Sequence, residues 1–141
     1  MVTSGAMIRW WAATGAMVIL AAACGGDDNS VDRAYVSETC KARLAFKTAT
    51  EAEPRSPRKD DGAVGDLVLA LSKTKPPVDA KSYRDATVRF LTDARRQVAK
   101  NGVIAFEILD APLPSREVGA RLDKFALKDE DCVRAEFTFE D

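Results

Sequence analysis

The sequence predicts an all-α fold, a small bundle of about four helices with an extended C-terminal tail. Three observations lead there. Apolar residues recur at three- and four-residue steps in four separate stretches, the spacing that lines one face of a helix. Residues that start or stop helices bound those stretches: Pro76-Pro77, Asp79, Asn101-Gly102 and Pro114-Ser115. Alternation with a period of two is confined to two short runs, 103–109 and 133–139.

The first helix is expected over Val31 to Thr50, where Val31, Tyr35, Ala42 and Phe46 recur with Val36, Cys40 and Leu44 beside them. Residues 51–62, EAEPRSPRKDDG, hold two Pro, four acidic and three basic residues and no large apolar one, which predicts an exposed, solvated linker. Val64, Leu67, Val68 and Leu71 then fall at i, i+3, i+4 and i+7, with Asp60 or Asp61 as N-cap and Pro76-Pro77 as the stop. Asp79 is the natural cap of a third helix striped by Tyr83, Thr87, Phe90, Ala94 and Val98 and widened by Ala86 and Leu91. Asn101-Gly102 closes it.

Ser115 caps a fourth helix with Val118, Leu122 and Phe125 turned inward, although Gly119 weakens it by about 1 kcal/mol relative to Ala. The run 103–109 (VIAFEIL) fits a strand through Ile104, Phe106 and Ile108 and a helix face through Ile104 and Ile108. A helix is expected, since four helical stripes surround it. The run 133–139 (VRAEFTF) also alternates. It is expected as an extended tail packing Phe137 and Phe139 on the bundle.

The first 23 residues have a different character. Trp10 to Ala23 carry no charge, Arg9 precedes them, and the stretch is shorter than the about 20 apolar residues that span a bilayer. A positive start, an apolar core and a small-residue end make a secretory signal. Translation starting at Met7 would serve as well as Met1, because it places Arg9 next to the initiator.

The segment ends Leu20-Ala21-Ala22-Ala23-Cys24-Gly25-Gly26, which resembles the lipobox of bacterial lipoproteins. The resemblance implies that the Cys24 thiol receives a diacylglyceryl group and that a type II signal peptidase cuts before it. The family usually has Leu, Val or Ile three residues before the Cys, where this chain has Ala21. Ala21-Ala22-Ala23 also fits the A-x-A site of ordinary type I cleavage, and both readings cut the same bond. Residues 1–23 are thus expected as signal peptide, 24–32 as lipidated Cys and flexible tether (GGDDNS), and 33–141 as the helical domain. Beyond the signal, the chain looks like the small Cys-paired helical lipoproteins of bacteria, a likeness that brings no functional residues with it.

With Cys24 lipidated, Cys40 and Cys132 remain as an even pair in an exported domain where oxidation is permitted. A Cys40–Cys132 disulfide is expected. The alternative is two unpaired small core residues. Such a bridge closes a loop of about 90 residues, for which chain entropy gives ~4.5 kcal/mol of stabilisation less any strain. After cleavage, 118 residues remain, Cys24 to Asp141, with 20 basic side chains against 22 acidic. That is enough chain for one core.

Composition narrows the function. The whole chain has 21 Lys and Arg, 22 Asp and Glu, and no His. Nucleic acid is not an expected partner, because phosphate binding needs a net or clustered basic surface. Without His, the Ser-His-Asp and Cys-His nucleophile systems and His-based zinc sites are absent. No cofactor or metal is expected. Asp60-Asp61 and Asp129-Glu130-Asp131 lack the alternating spacing that arranges oxygens around calcium and read as linker and cap residues. Glu107, the lone charge in its apolar run, is the best candidate for a carboxylate-dependent hydrolase of envelope glycans, yet it reads more simply as a solvated position.

Arg89, Arg95, Arg96 and Lys100 form a dilute cationic face interrupted by Asp85 and Asp93. Tyr83, Phe90 and Phe106 have the spacing of core aromatics, with a ligand pocket as the other reading. The function expected is therefore a non-enzymatic, lipid-anchored interaction module with another envelope protein as partner. A periplasmic module for a small apolar ligand or lipid is the alternative. Six tether residues, Gly25 to Ser30, would hold the domain within about 20 Å of the bilayer. Gly25 follows the lipid Cys where Asp resembles an inner-membrane retention signal of Gram-negative lipoproteins, so cell-membrane and outer-membrane anchoring are both compatible, on the extracytoplasmic side.

Overall fold

The computed structural model describes residues 28–101 and 111–140. The fold is all-α: α1 (Asp28–Glu51), α2 (Pro57–Lys73), a 3-10 turn (Val78–Ala80), α3 (Lys81–Asn101), α4 (Arg116–Ala126) and α5 (Glu130–Ala135), with no strand among the described residues. α1 packs against α2, α4 and α5, and α2 packs against α3. The α2–α3 pair is antiparallel, since Asp61 at the start of α2 meets Arg95 late in α3 at 3.0 Å, and Ser72 at the end of α2 meets Arg84 early in α3 at 2.8 Å. Arg84 donates to the Ser72 and Thr74 carbonyls, which satisfies acceptors that the end of α2 leaves open.

The apolar stripes face two clusters. One joins Tyr35, Val36 and Cys40 of α1 to Ala80, Tyr83, Val118, Leu122, Ala126, Cys132 and Phe139. The other joins Ala42 to Val64, Leu67, Leu71, Leu91 and Val98, with Phe46 and Phe90 packed against it. Cys40 and Cys132 lie at disulfide distance in the first cluster, their Cα atoms 4.6 Å apart and both side chains buried.

Several boundaries differ from expectation. The tether assigned to 24–32 is shorter, because α1 begins at Asp28 and Asp32 is already buried. Asp, Asn and Ser are first-turn residues of helices as readily as they are tether residues. The linker assigned to 51–62 shrinks to 52–56. Ser56 caps α2 by accepting the Lys59 N–H at 3.2 Å, Pro57 takes the first helical position, and Asp60 sits buried in the first turn rather than serving as the cap. Asp79 lies inside the 3-10 turn instead of capping α3. Ser115 does cap α4, accepting the Val118 N–H at 3.4 Å.

The tail is extended only in its last part. α5 continues through Ala135 and ends at Glu136, which adopts the left-handed conformation (φ 54°). The Glu136 N–H then donates to the Val133 carbonyl and the Phe137 N–H to that of Cys132, the paired bonds of a Schellman ending. Residues 137–140 run back across α4 with Phe139 buried, and the Asp123 carboxylate accepts the Phe139 and Glu140 N–H groups at 2.7 and 3.2 Å. The crossing accounts for Gly119, since a Cβ there would meet the Glu140 side chain at 2.9 Å. The run 103–109 lies outside the described residues.

Candidate functional site

The end of the bundle where α1 begins carries a groove of about 470 Å³, lined by Val31, Asp32, Pro76, Pro77, Val78, Asp79 and Arg121. Local sequence builds it. Thr74 stops α2 by bonding back to the Leu71 carbonyl through both its N–H and its hydroxyl, and two prolines then prevent the helix from resuming. The chain turns through Val78–Ala80, burying Ala80 and leaving Val78 94 % exposed. Val31, one turn into α1, is 43 % exposed beside it. Two branched apolar side chains and two proline rings thus meet at one end.

A charge network forms the floor. Arg121 Nε donates to Asp32 at 2.7 Å, and its Nη1 and Nη2 donate to Asp79 at 2.5 and 2.7 Å. One guanidinium therefore ties α4 to the first turns of α1 and to the α2–α3 connection. Asp32 is 1 % exposed, and the Arg121 guanidinium is the hydrogen-bond partner that offsets its burial. The hydrogen bond from Arg121, with the guanidinium charge, holds the Asp79 carboxyl below the usual carboxylate range. The two carboxylates in turn raise Arg121. A carboxylate held in this way is a poor proton donor near neutral pH. The groove offers apolar contact and fixed charges, the makings of a binding surface.

The other residues singled out in the sequence are dispersed. Cys24, Phe106 and Glu107 lie outside the described residues. Asp60 is 3.9 Å from Arg55, and Asp61 binds Arg95 through two hydrogen bonds. Asp129 caps α5 by accepting the Asp131 and Cys132 N–H groups. Its carboxylate and the sulfurs of Cys40 and Cys132 come within 4.8 Å of one another, but the sulfurs are bonded to each other and the carboxylate is engaged as a cap. Of the cationic face, Arg95 is paired, while Arg89, Arg96 and Lys100 are exposed. Tyr83 is core, and Phe90 packs on the second cluster.

Sequence reasoning missed Arg121 and its pairing with Asp32 and Asp79, the latter expected only as a helix cap. Arg121 sits immediately before Leu122 of the inward stripe, which is a hint of a position at the core's edge, but its carboxylates lie 89 and 42 residues away. Among the described residues no helix is long and apolar enough to cross a membrane. Comparisons with protein-family models, with curated proteins and with solved structures give no match.

Proposed function

We propose that the chain is an exported, lipid-anchored helical domain that acts as a non-enzymatic interaction module on the extracytoplasmic face of a membrane, with the Val31–Val78 groove as its binding surface. The observation that carries this reading is the division of the cysteines. Cys40 and Cys132 pair in the core, as suits an oxidising compartment, and Cys24 is left directly after an uncharged apolar segment of lipobox-like sequence. α1 starts only four residues beyond Cys24, a span of at most about 14 Å, and the groove opens within its first turns. The lipid would therefore hold the groove against the membrane surface, and the partner would be another membrane-proximal envelope protein.

The test is an intact mass of the membrane-extracted protein, followed by photo-crosslinking in cells from a probe placed at Val78. The reading expects a chain beginning at Cys24 with added diacylglyceryl mass, two hydrogens gained on reduction, and a crosslinked partner that a probe at Leu69 does not capture. An unlipidated chain in the soluble fraction, or equal capture from both positions, would overturn it.

A second reading is favoured by the groove's volume and apolar lining, which suit a small apolar ligand or a lipid. It expects a co-purifying molecule whose removal lowers the melting temperature.

A further inference from the structure

A separate groove lies where the C-terminal half of α1 meets the turn after α5, and its central residue is Arg43. The Arg43 Nε is buried and has no hydrogen-bond partner among the described residues. Its guanidinium stands 4.8 Å from the centroid of the Phe137 ring and shares a hydrogen bond with Tyr83. No carboxylate among the described residues forms an ion pair with it, whereas Arg55, Arg84, Arg95 and Arg121 each have one. Burial lowers the guanidinium's affinity for its proton, and the Tyr83 and Tyr35 hydroxyls act in the opposite direction.

A half-buried guanidinium whose Nε is shielded from water and left open is costly unless something completes it. The Phe137 ring face offsets part of that cost. The unfilled Nε edge is the one through which arginine grips an oxyanion with two parallel hydrogen bonds.

The surroundings fit such a ligand. Arg43 shares a groove of about 360 Å³ with Lys47, Arg55, Phe46 and Phe137. Lys47 is held by Glu136 at 3.0 Å and by Glu51 at 4.0 Å, both mostly exposed carboxylates that give up a surface pair at little cost. The Arg55 guanidinium meets the Asp60 carboxylate at a long 3.9 Å. Three cations, the carboxylates of Glu51 and Glu136 and two aromatic rings thus share one concavity, which keeps an excess of one positive charge.

We propose that Arg43, Lys47 and Arg55 form a binding site for a small organic oxyanion, a carboxylate or a phosphate monoester, whose apolar part rests on Phe46 and Phe137. The site is independent of the membrane anchor and of the Val31–Val78 groove.

The test uses the oxidised full-length chain and two probes, phenylacetate and phenyl phosphate, each against sodium chloride at equal ionic strength. Either probe, at about ten times its dissociation constant, should raise the melting temperature by roughly 5 °C and shift the Arg43 Nε–H resonance. Response to phenylacetate alone identifies a carboxylic acid as the ligand class, and response to phenyl phosphate alone a phosphate ester. Arg43→Gln should abolish the response. Arg43→Lys, which keeps the charge and loses the two-pronged edge, covers the case in which the first variant does not fold and should weaken binding about tenfold or more. An unmoved Arg43 resonance with both probes, an equal shift with chloride, or undiminished binding in the variants would overturn the proposal.

Discussion

The two halves of α1 rest on different kinds of support. Its C-terminal half packs on α2, which pairs with α3, helices of 17 and 21 residues that meet through Val64, Leu67, Leu71, Leu91 and Val98. Its N-terminal half packs on α4 and α5, of 11 and 6 residues, too short to hold a helical conformation alone in water. There the aliphatic contact is supplemented. A disulfide joins α1 to α5, Arg121 joins α4 to Asp32, and Asp123 holds the returning tail by two backbone N–H groups. Phe139 then fills the middle, with ring centroids of Tyr35, Tyr83 and Phe137 at 6.0, 6.2 and 5.0 Å. Arg33 reaches from α1 over the Phe125 ring of α4 at 5.7 Å. Where helices are long, ridges of Leu and Val make the interface, with Arg84 and Arg95 linking its two ends. Where they are short, covalent, ionic and aromatic links take over part of the task.

The largest effect should come from the disulfide. A Cys40→Ser/Cys132→Ser chain is expected to lose about 2–5 kcal/mol, since the bridge closes a separation of 92 residues. The loss should be uneven. Native-state hydrogen exchange should show α4 and α5 amides losing protection while those facing the α2–α3 interface keep most of theirs. Equal loss in both regions would mean that the two clusters unfold as one unit, and the contrast between them would fall.

A second comparison sets like chemistry in unlike surroundings. Arg121→Ala strands Asp32 in the core without a counter-charge, and about 3 kcal/mol is expected, near the low end for broken buried pairs because the Arg121 side chain is itself 32 % exposed. Arg95→Ala breaks a pair with Asp61 at 3.0 Å in which both side chains are partly open to solvent, and the expected loss is under about 1 kcal/mol. Urea unfolding at constant slope would measure both. Similar losses would show that burial of Asp32 does not set the difference.

The same contrast governs what the sequence revealed. The long helices were legible, because Leu67 and Leu71 of α2, and Leu91, Ala94 and Val98 of α3, repeat often enough for the period to stand out, and all five are buried. The Cys40–Cys132 pairing followed from parity once Cys24 was set aside as the residue of the lipobox-like segment. Residues 57–62 were hidden by composition. A run of charges reads as a solvated linker, but Ser56-Pro57 is a helix start, and acidic residues in a first turn are favoured by the helix dipole, so Asp60 is buried in a stretch that looks polar throughout. α5 was hidden by a false alternation, Val133, Ala135, Phe137 and Phe139, that a helix ending at Glu136 happens to produce. The Arg121 network had no local signature at all, since each partner is an ordinary charge beside an apolar residue until the fold brings them together.

The smallest effect lies in acid. Asp79 is held ionised chiefly by its hydrogen bond from Arg121, so its folded pKa lies below that of a free carboxyl, about 3.9. The sign follows: a depressed folded pKa contributes stability that is fully present above the unfolded value and is lost as pH falls through the folded one. Asp79→Asn should therefore cost a little at pH 7, where the half-exposed pair is screened by solvent. The gap to the parent should narrow as pH falls below the free-carboxyl value, because the parent's own Asp79 then takes up its proton. Asp85, lowered chiefly by its hydrogen bond from Lys81, provides the exposed control. Asp85→Asn should give a smaller gap that added salt removes, whereas part of the Asp79 gap should persist, since Arg121 is also fixed from behind by buried Asp32. Parallel melting curves for parent and Asp79→Asn from pH 7 down to pH 2 would mean that Arg121 is held by Asp32 alone, and that the connection between α2 and α3 is free to move at the mouth of the groove.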